Sequence, residues 1–295
     1  MNLTDLMNSF STDDKCRELL KRLRWPDGAE CPRCQGKATE LETEKQLFWC
    51  GACDYQFTVT AGTIFNDTHM PLVKWFMATL LLCEARKGMS ANQVKRTLGI
   101  SYKTAWYLCH RIRAAMVESQ KEKLDGIVEM DETYFGGRKK GVTMAEAKAA
   151  KQIVLGIRKR GGELRFFQAK DVTARTLQEF IQTNVSDDVE MFVTDEFPVY
   201  PYAVKGKIAG KHRQIRHKET YVRGDVHTNT VESAFSLFKR GVMGTWHKIS
   251  AKHLSAYLNE MTFRFNRRKS DVLFLDTLRH MITASTLTFE KLTAA

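Results

Sequence analysis

No apolar run in this chain approaches the roughly 18 residues that a membrane-crossing helix needs. The first residues show no basic stretch leading into an apolar one, as a secretory leader would. Internal repeats and low-complexity segments are missing as well. The cysteines do not make an even set: there are seven. An odd number without a leader argues against a disulfide framework and for a reducing compartment, with some of the thiols on a metal. Negative charge is also in short supply, with 34 Asp and Glu against 46 Lys and Arg, a formal net charge of +12. That imbalance predicts a polyanionic partner, and without a membrane segment nucleic acid is preferred over an anionic membrane surface. What remains is a chain of 295 residues, 43% hydrophobic, able to bury a real core in two or three folding units.

Four of the cysteines form two close pairs, Cys31-Pro32-Arg33-Cys34 and Cys50-Gly51-Ala52-Cys53. Each Cys-x-x-Cys turn aims two thiolates at one centre, and tetrahedral Zn²⁺ takes four, so the spacing predicts a zinc ribbon holding one structural Zn²⁺. Leu47, Phe48, Trp49, Tyr55 and Phe57 are expected to pack around it, and the isolated Cys16 reads as a buried thiol. Residues 1–62 are thus a helical lead-in and a ribbon. Residues 63–120 read as helical. An apolar helix over 71–87 is followed by one starting at Ser90 and, after the turn Gly99-Ile100-Ser101, by another over 102–116. Ala105, Leu108, Ile112 and Met116 share the inner face of that last helix. Lys103, Tyr107, His110 and Arg111 fall opposite, which predicts a helix-turn-helix offering them to a DNA groove. An ordinary three-helix module with a solvated basic face is the alternative.

The stretch Ile127-Val128-Glu129-Met130-Asp131-Glu132-Thr133-Tyr134-Phe135-Gly136-Gly137 reads as a mostly buried strand closed by glycines, with Asp131 near its wet end. A buried carboxylate must be paired, hydrogen-bonded or bound to a metal. Arg138, Lys139 and Lys140 follow in a basic loop that suits a DNA backbone or plain surface. Residues 152–158 and 164–170 form a hairpin around Gly161-Gly162, and Thr173 caps a helix. A second apolar strand then ends at Asp195. The cationic run from Lys205 to Arg223, with Arg213 and Arg216, makes a phosphate track plausible. His227 to Arg240 reads as an amphipathic helix with Asn229 as N-cap and Glu232 as its capping-box acid. Lys239 follows Glu232 by seven positions, two turns on the same face, and Arg240 is next. Three acids on two strands and a helix suit a hard divalent cation. A helix beginning after Ser250 closes the pattern of a mixed α/β sheet with flanking helices. Residues 271–295 read as a C-terminal tail.

Several segments together resemble the DDE-type transposases of bacterial insertion sequences, more narrowly the IS fifteen-ninety-five group. They are Arg24-Trp25-Pro26-Asp27-Gly28, both cysteine pairs, Thr60-Ala61-Gly62-Thr63-Ile64-Phe65 and the stretch from Asp131 to Gly137. His227-Thr228-Asn229, Glu232-Ser233, Lys239-Arg240 and the run from His253 to Arg267 complete the set. The resemblance implies a ribonuclease H-like catalytic domain over residues 121–270. It implies two Mg²⁺ (or Mn²⁺) ions per active site on Asp131, Asp195 and Glu232, with Lys239 as the basic residue two turns on. The group varies between glutamate and asparagine at the third position, so Asn229 stays open as an alternative. The implied activity is Mg-dependent cleavage and strand transfer at the element's terminal inverted repeats, on double-stranded DNA that includes the target. A homodimer or larger oligomer on DNA and a bacterial cytoplasmic, nucleoid-associated location go with it. A transcriptional regulator with an inactive transposase domain, or a nuclease that cuts without joining, are the alternative functions.

Overall fold

The computed structural model describes residues 1–42, 46–118, 122–136, 141, 143, 151–216 and 222–294. The chain divides into two compact units. One joins Met1–Val117 to Arg267–Ala295, and the other is Glu118–Asn266.

The first unit opens with α1 (Leu3–Ser9) and α2 (Asp13–Arg24). Both begin on side-chain caps: Asn2 and Asp5 bond each other's backbone N–H, and Thr12 accepts from Lys15. Three short antiparallel strands follow in the order β1 (Thr39–Glu40), β2 (Phe48–Cys50), β3 (Tyr55–Phe57). Trp25 meets Phe48 edge-on, with ring centroids 4.9 Å apart, and so ties α2 to this sheet. Helices α3 (Leu72–Glu84), α4 (Ala91–Leu98) and α5 (Tyr102–Ala115) come next. Ser90 and Ser101 cap α4 and α5 as expected. Between them Gly99 takes φ +60°, a left-handed turn that a glycine adopts without strain.

The last part of the chain is not a tail. Helix α10 (Leu273–Thr283) buries Phe274, Leu278, Met281 and Ile282, and the short α11 (Phe289–Thr293) follows it. The Phe274 ring stands edge-on to Phe76, and the Thr79 hydroxyl donates to the Met281 sulfur. The Thr277 hydroxyl lies 3.2 Å from the Cys83 thiol. The expected boundary at 271 fails because the apolar stripe of α10 finds its partners far upstream, in α2, α3 and α5, with Thr277 and Cys83 194 positions apart.

The second unit carries a five-stranded sheet of order β6-β5-β4-β7-β8. Its strands are β4 (Ile127–Phe135), β5 (Gln152–Lys159), β6 (Leu164–Ala169), β7 (Met191–Thr194) and β8 (His212–Gln214). β5 pairs antiparallel to both β4 and β6; β7 pairs parallel to β4, and β8 parallel to β7. Three antiparallel strands, with two more added in parallel beside the first, form a ribonuclease H-like sheet. Alternation along β4 sends Val128 and Met130 to one face and Glu129 and Asp131 to the other. The first face packs on α6 (Ala174–Asn184) and α7 (Tyr200–Ala203) through Leu155, Ile157, Leu177, Ile181, Phe192 and Tyr200. The second packs on α8 (Asn229–Gly241) and α9 (Ala251–Asn266) through Val154, Phe166, Val231, Phe235, Phe238, Leu254 and Leu258. The acids lie where the parallel pairing of β4 with β7 runs out: Asp195 directly follows β7, and Asp131 stands in the middle of β4, two residues past its last pair with β7.

Leu278→Ala tests the reassignment of the C-terminal segment. Its side chain is fully buried, so the truncation should cost about 2–5 kcal/mol in denaturant unfolding of the first unit. A change within about 0.5 kcal/mol would return the segment to the status of a surface tail.

Candidate metal centres

The four paired cysteines come together in the first unit. Every sulfur of Cys31, Cys34, Cys50 and Cys53 lies within 4.8 Å of the others. Cys31 and Cys53 are 3.7 Å apart and Cys34 and Cys50 3.5 Å. Four thiolates about 2.3 Å from a central zinc have S···S edges of about 3.8 Å, so the donor set and spacing fit tetrahedral Zn²⁺. Against the upward push of burial, the backbone N–H groups of Cys34 and Arg33 hold the Cys31 thiol down to about 7. In the same cluster burial and the neighbouring thiols push Cys53 up to about 12, so the two values belong to the pair and not to either thiol alone. Cys16 is buried at a distance from this cluster in the fold, on α2, and burial pushes its thiol up to about 12.

The second centre is built on β4 and β7. The carboxylate oxygens of Asp131, Glu132 and Asp195 approach within 4.8 Å of one another. Asp131 Oδ1 accepts from the Glu132 backbone N–H at 2.8 Å. Asp195 caps the turn after β7, accepting from the Phe197 N–H at 3.0 Å, and Gln214 of β8 donates to the Asp195 carbonyl at 3.1 Å. Glu132 is steadied by Tyr200, whose buried phenol donates to Glu132 Oε2 at 2.7 Å.

Helix α8 brings the remaining acid. Asp131 pairs in register with Gly156 on β5. A Cβ at Gly156 would meet the Phe235 ring at 2.5 Å and the Phe166 ring at 2.9 Å. The missing side chain lets α8 lie flat on the sheet next to Asp131, with Glu232 one turn before Phe235. The Thr228 hydroxyl donates to Glu232 Oε1 at 2.7 Å.

Burial raises the Asp131 carboxyl from the usual 3.8 to about 8, and the charges of Asp195, Glu132 and Glu232 add to the effect. The site thus gathers several carboxylates in a largely buried place. Clustered hard oxygen donors of this kind fit a divalent cation such as Mg²⁺.

The sequence expectations meet this geometry unevenly. Asp131 and Asp195 converge, and Glu232 is close enough for its charge to reach Asp131. Glu132 joins the cluster although the sequence reading gave it no role; its position beside Asp131 was the available signal. Helix α8 begins one residue earlier than expected: Thr228 is the N-cap, and Asn229 is the exposed first helical residue. Lys239 and Arg240 are exposed two turns on from Glu232. Arg213 and Arg216 are exposed, while Arg138, Lys139 and Lys140 lie outside the described residues.

On α5 the picture changes. Lys103 is exposed, but Tyr107 is half-buried and donates to the Leu287 carbonyl at 2.6 Å. His110 and Arg111 are buried, at 2% and 4% exposure, and cannot face DNA. Arg111 donates to the Asn66 carbonyl at 2.6 Å and lies over the Trp75 ring. An arginine so enclosed by acceptor and aromatic surface belongs to the core.

Two outcomes follow for the acid site. In the metal-free protein, folded Asp131 keeps a proton that the unfolded chain releases near 3.8, so stability should fall as pH rises from about 4 to about 8. Asp131→Asn should flatten that dependence and raise the metal-free unfolding midpoint near pH 8 by about 2–4 °C, the response to roughly 1 kcal/mol. Thermal scans in chelator across this range read both; an unchanged slope in the variant would separate Asp131 from the excess charge. For Gly156→Ala the contact with Phe235 predicts a loss of about 1–3 kcal/mol. Denaturant titration checks it, and wild-type stability would mean α8 has room to lift.

Two family models match the chain. Residues 11–56 match the family model of a transposase zinc-ribbon domain, and residues 123–266 that of an ISXO2-like transposase domain. An uncharacterized protein in the transposable element ISH50 of Halobacterium salinarum is 25% identical over 276 residues, covering 88% of this chain and 92% of that protein. The crystal structure of a pre-cleavage Mos1 transpososome aligns over 68% of this chain and 76% of its own, at 12% identity and a TM-score of 0.25, too loose a likeness to argue from. With its ribbon and its sheet, the chain thus carries a transposase zinc-ribbon domain followed by an ISXO2-like transposase domain.

Proposed function

We propose that this transposase binds the ends of its own element and cuts and joins DNA strands at the acid cluster of the second unit. The observation that carries the reading is the convergence of carboxylates from β4 and the end of β7: Asp131, Glu132 and Asp195 lie within 4.8 Å of one another, with Glu232 close enough for its charge to reach Asp131. Asp131, Asp195 and Glu232 would hold Mg²⁺ or Mn²⁺, two ions per site, with Glu132 beside them. Bound there, the ions would activate the attacking oxygen and stabilise the leaving one. Asp131 and Asp195 stay fixed by the β4 register and the Asp195 turn. Glu132 is oriented by Tyr200, and Glu232 by Thr228 and the seating of α8. Lys239 and Arg240, exposed along the same helix, are suited to a DNA phosphate beside the acids. Glu232 is preferred to Asn229 as third ligand because its negative charge reaches Asp131, whereas Asn229 is exposed. The intact acids favour an enzyme over a regulator with an inactive domain.

Double-stranded DNA is the partner that the +12 net charge suits. Within the first unit the exposed side chains of α4 and the first turn of α5, Lys95, Arg96, Tyr102 and Lys103, are the groups available to a groove. Reading by the first turn of the second helix is the usual helix-turn-helix geometry. Arg213 and Arg216 extend a basic surface in the second unit.

Asp131→Asn, Asp195→Asn and Glu232→Gln should each reduce cleavage and strand transfer by several orders of magnitude, with end binding retained. Gel assays on end DNA in Mg²⁺, including a precut end for the joining step, separate cleavage from transfer. Cutting by all three variants would refute the catalytic reading, and a wild type that cuts but never joins the precut end would make the protein a nuclease. Lys103→Ala should weaken end binding, whereas Arg111→Ala should mainly lower thermal stability; the reverse pattern would put recognition back on the middle of α5.

A further inference from the structure

The acid site leaves one buried carboxylate of β4 without a role. Glu129 lies two residues before Asp131 on the same face of the strand, and its side chain is 0% exposed. Its oxygens are fully engaged. Oε2 accepts from the backbone N–H groups of Thr230 at 2.9 Å and Val231 at 3.1 Å, in the first turn of α8. Oε1 accepts from Arg160 Nε at 2.6 Å and stands 3.3 Å from His227 Nδ1. Arg160 reaches on to the His227 carbonyl at 3.0 Å, and its own backbone N–H bonds the Ile127 carbonyl at 2.9 Å. One carboxylate thus joins the central strand, the chain just past β5 and the start of α8.

Apolar residues could close this space at no loss of stability, because desolvating an ion pair consumes most of what the pair returns. A carboxylate against a helix N-terminus adds direction: two aligned N–H groups and the helix dipole define where the first turn sits and how it is rotated. Glu232 lies in that first turn, immediately after Val231. A metal ligand must be held to within about 0.5 Å, and groups bonded to the ligand-bearing element normally provide that. Gly156 determines how closely α8 approaches the sheet; Glu129 determines its position along and about its axis.

We infer that Glu129 is a positioning residue that sets Glu232 over Asp131 by anchoring the first turn of α8, without touching metal or DNA. The inference rests on Glu232 being a metal ligand, as proposed above. Glu129→Gln keeps size and one acceptor but places an NH₂ against N–H donors on one side or the other, which loosens the anchor without opening a cavity.

The test is a double-mutant cycle on the full chain: wild type, E129Q, E232Q and E129Q/E232Q, each shown folded by circular dichroism. Mn²⁺ affinity is measured by the spin resonance of free Mn²⁺, and cleavage is resolved into kcat and KM for end DNA. E129Q should weaken Mn²⁺ and lower kcat by roughly 10–100-fold with KM unchanged. The double variant should match E232Q alone, because the two residues act through one ligand. Wild-type Mn²⁺ affinity and kcat in E129Q would overturn the inference. So would a double variant whose loss is the product of the two single losses. A normal Mn²⁺ affinity in E232Q removes Glu232 from the metal site and the inference with it, a result distinguishable from failure of Glu129 alone. If E129Q does not fold, Arg160→Lys replaces it in the cycle: it keeps the charge beside Glu129 and loses the second reach to His227, with the same outcomes expected.

Discussion

Repulsion between carboxylates is the constraint around which the second unit is arranged. Asp131 and Glu132 of the middle of β4 and Asp195 just past β7 are brought within 4.8 Å of one another. Water would separate them, so each must be held from behind. Parallel pairing of β4 and β7 aligns the strand ends. A buried tyrosine steadies Glu132, and a turn closed on Asp195 fixes the third oxygen pair. The opposite face supplies a helix that can approach only because Gly156 has no side chain. Folding energy from two apolar layers is thereby spent on keeping charge in one place, which is what preorganises a site for a cation. A cation held there would relieve part of that repulsion, which would couple metal affinity to the stability of the metal-free fold.

The sequence made the strands and the paired cysteines readable for a simple reason. Their signals are local: apolar runs ended by glycine or acid, and thiols two residues apart. Ser90, Ser101 and Thr173 could be recognised as caps because a cap and its partner N–H are three positions apart. The same logic placed the start of α8 one residue late, at Asn229, because two consecutive residues there are good caps and only the backbone geometry chooses between them. The second half of the site was hidden by distance. Glu129 looked like strand filler because Arg160 is 31 positions away and Thr230 is 101. Arg111 was misplaced by a rule that sends charge outward, a rule that fails where a guanidinium finds a carbonyl and two aromatic faces.

The basic surface of the first unit is smaller than helical periodicity suggests. Most of α5 is enclosed by its own unit, and the C-terminal segment lies on part of its outward side: Lys103 sits 4.5 Å from the Phe289 ring centre, and Tyr107 bonds Leu287. What stays open is α4 and the entry to α5, a short stretch of alternating polar and cationic residues.

The division of the chain also sets an order of assembly. The first unit takes its closing helix α10 from residues synthesised after the whole of the second unit. During translation the sheet and its acids can therefore be complete while α3 still exposes Phe76, Thr79 and Cys83, the groups that α10 later covers. Domains generally fold as they emerge, but this ribbon-bearing unit is finished last, across a loop the length of an entire domain. Closing that loop is slow relative to local contacts, so the surface that carries α4 and α5 matures only after α10 has been synthesised.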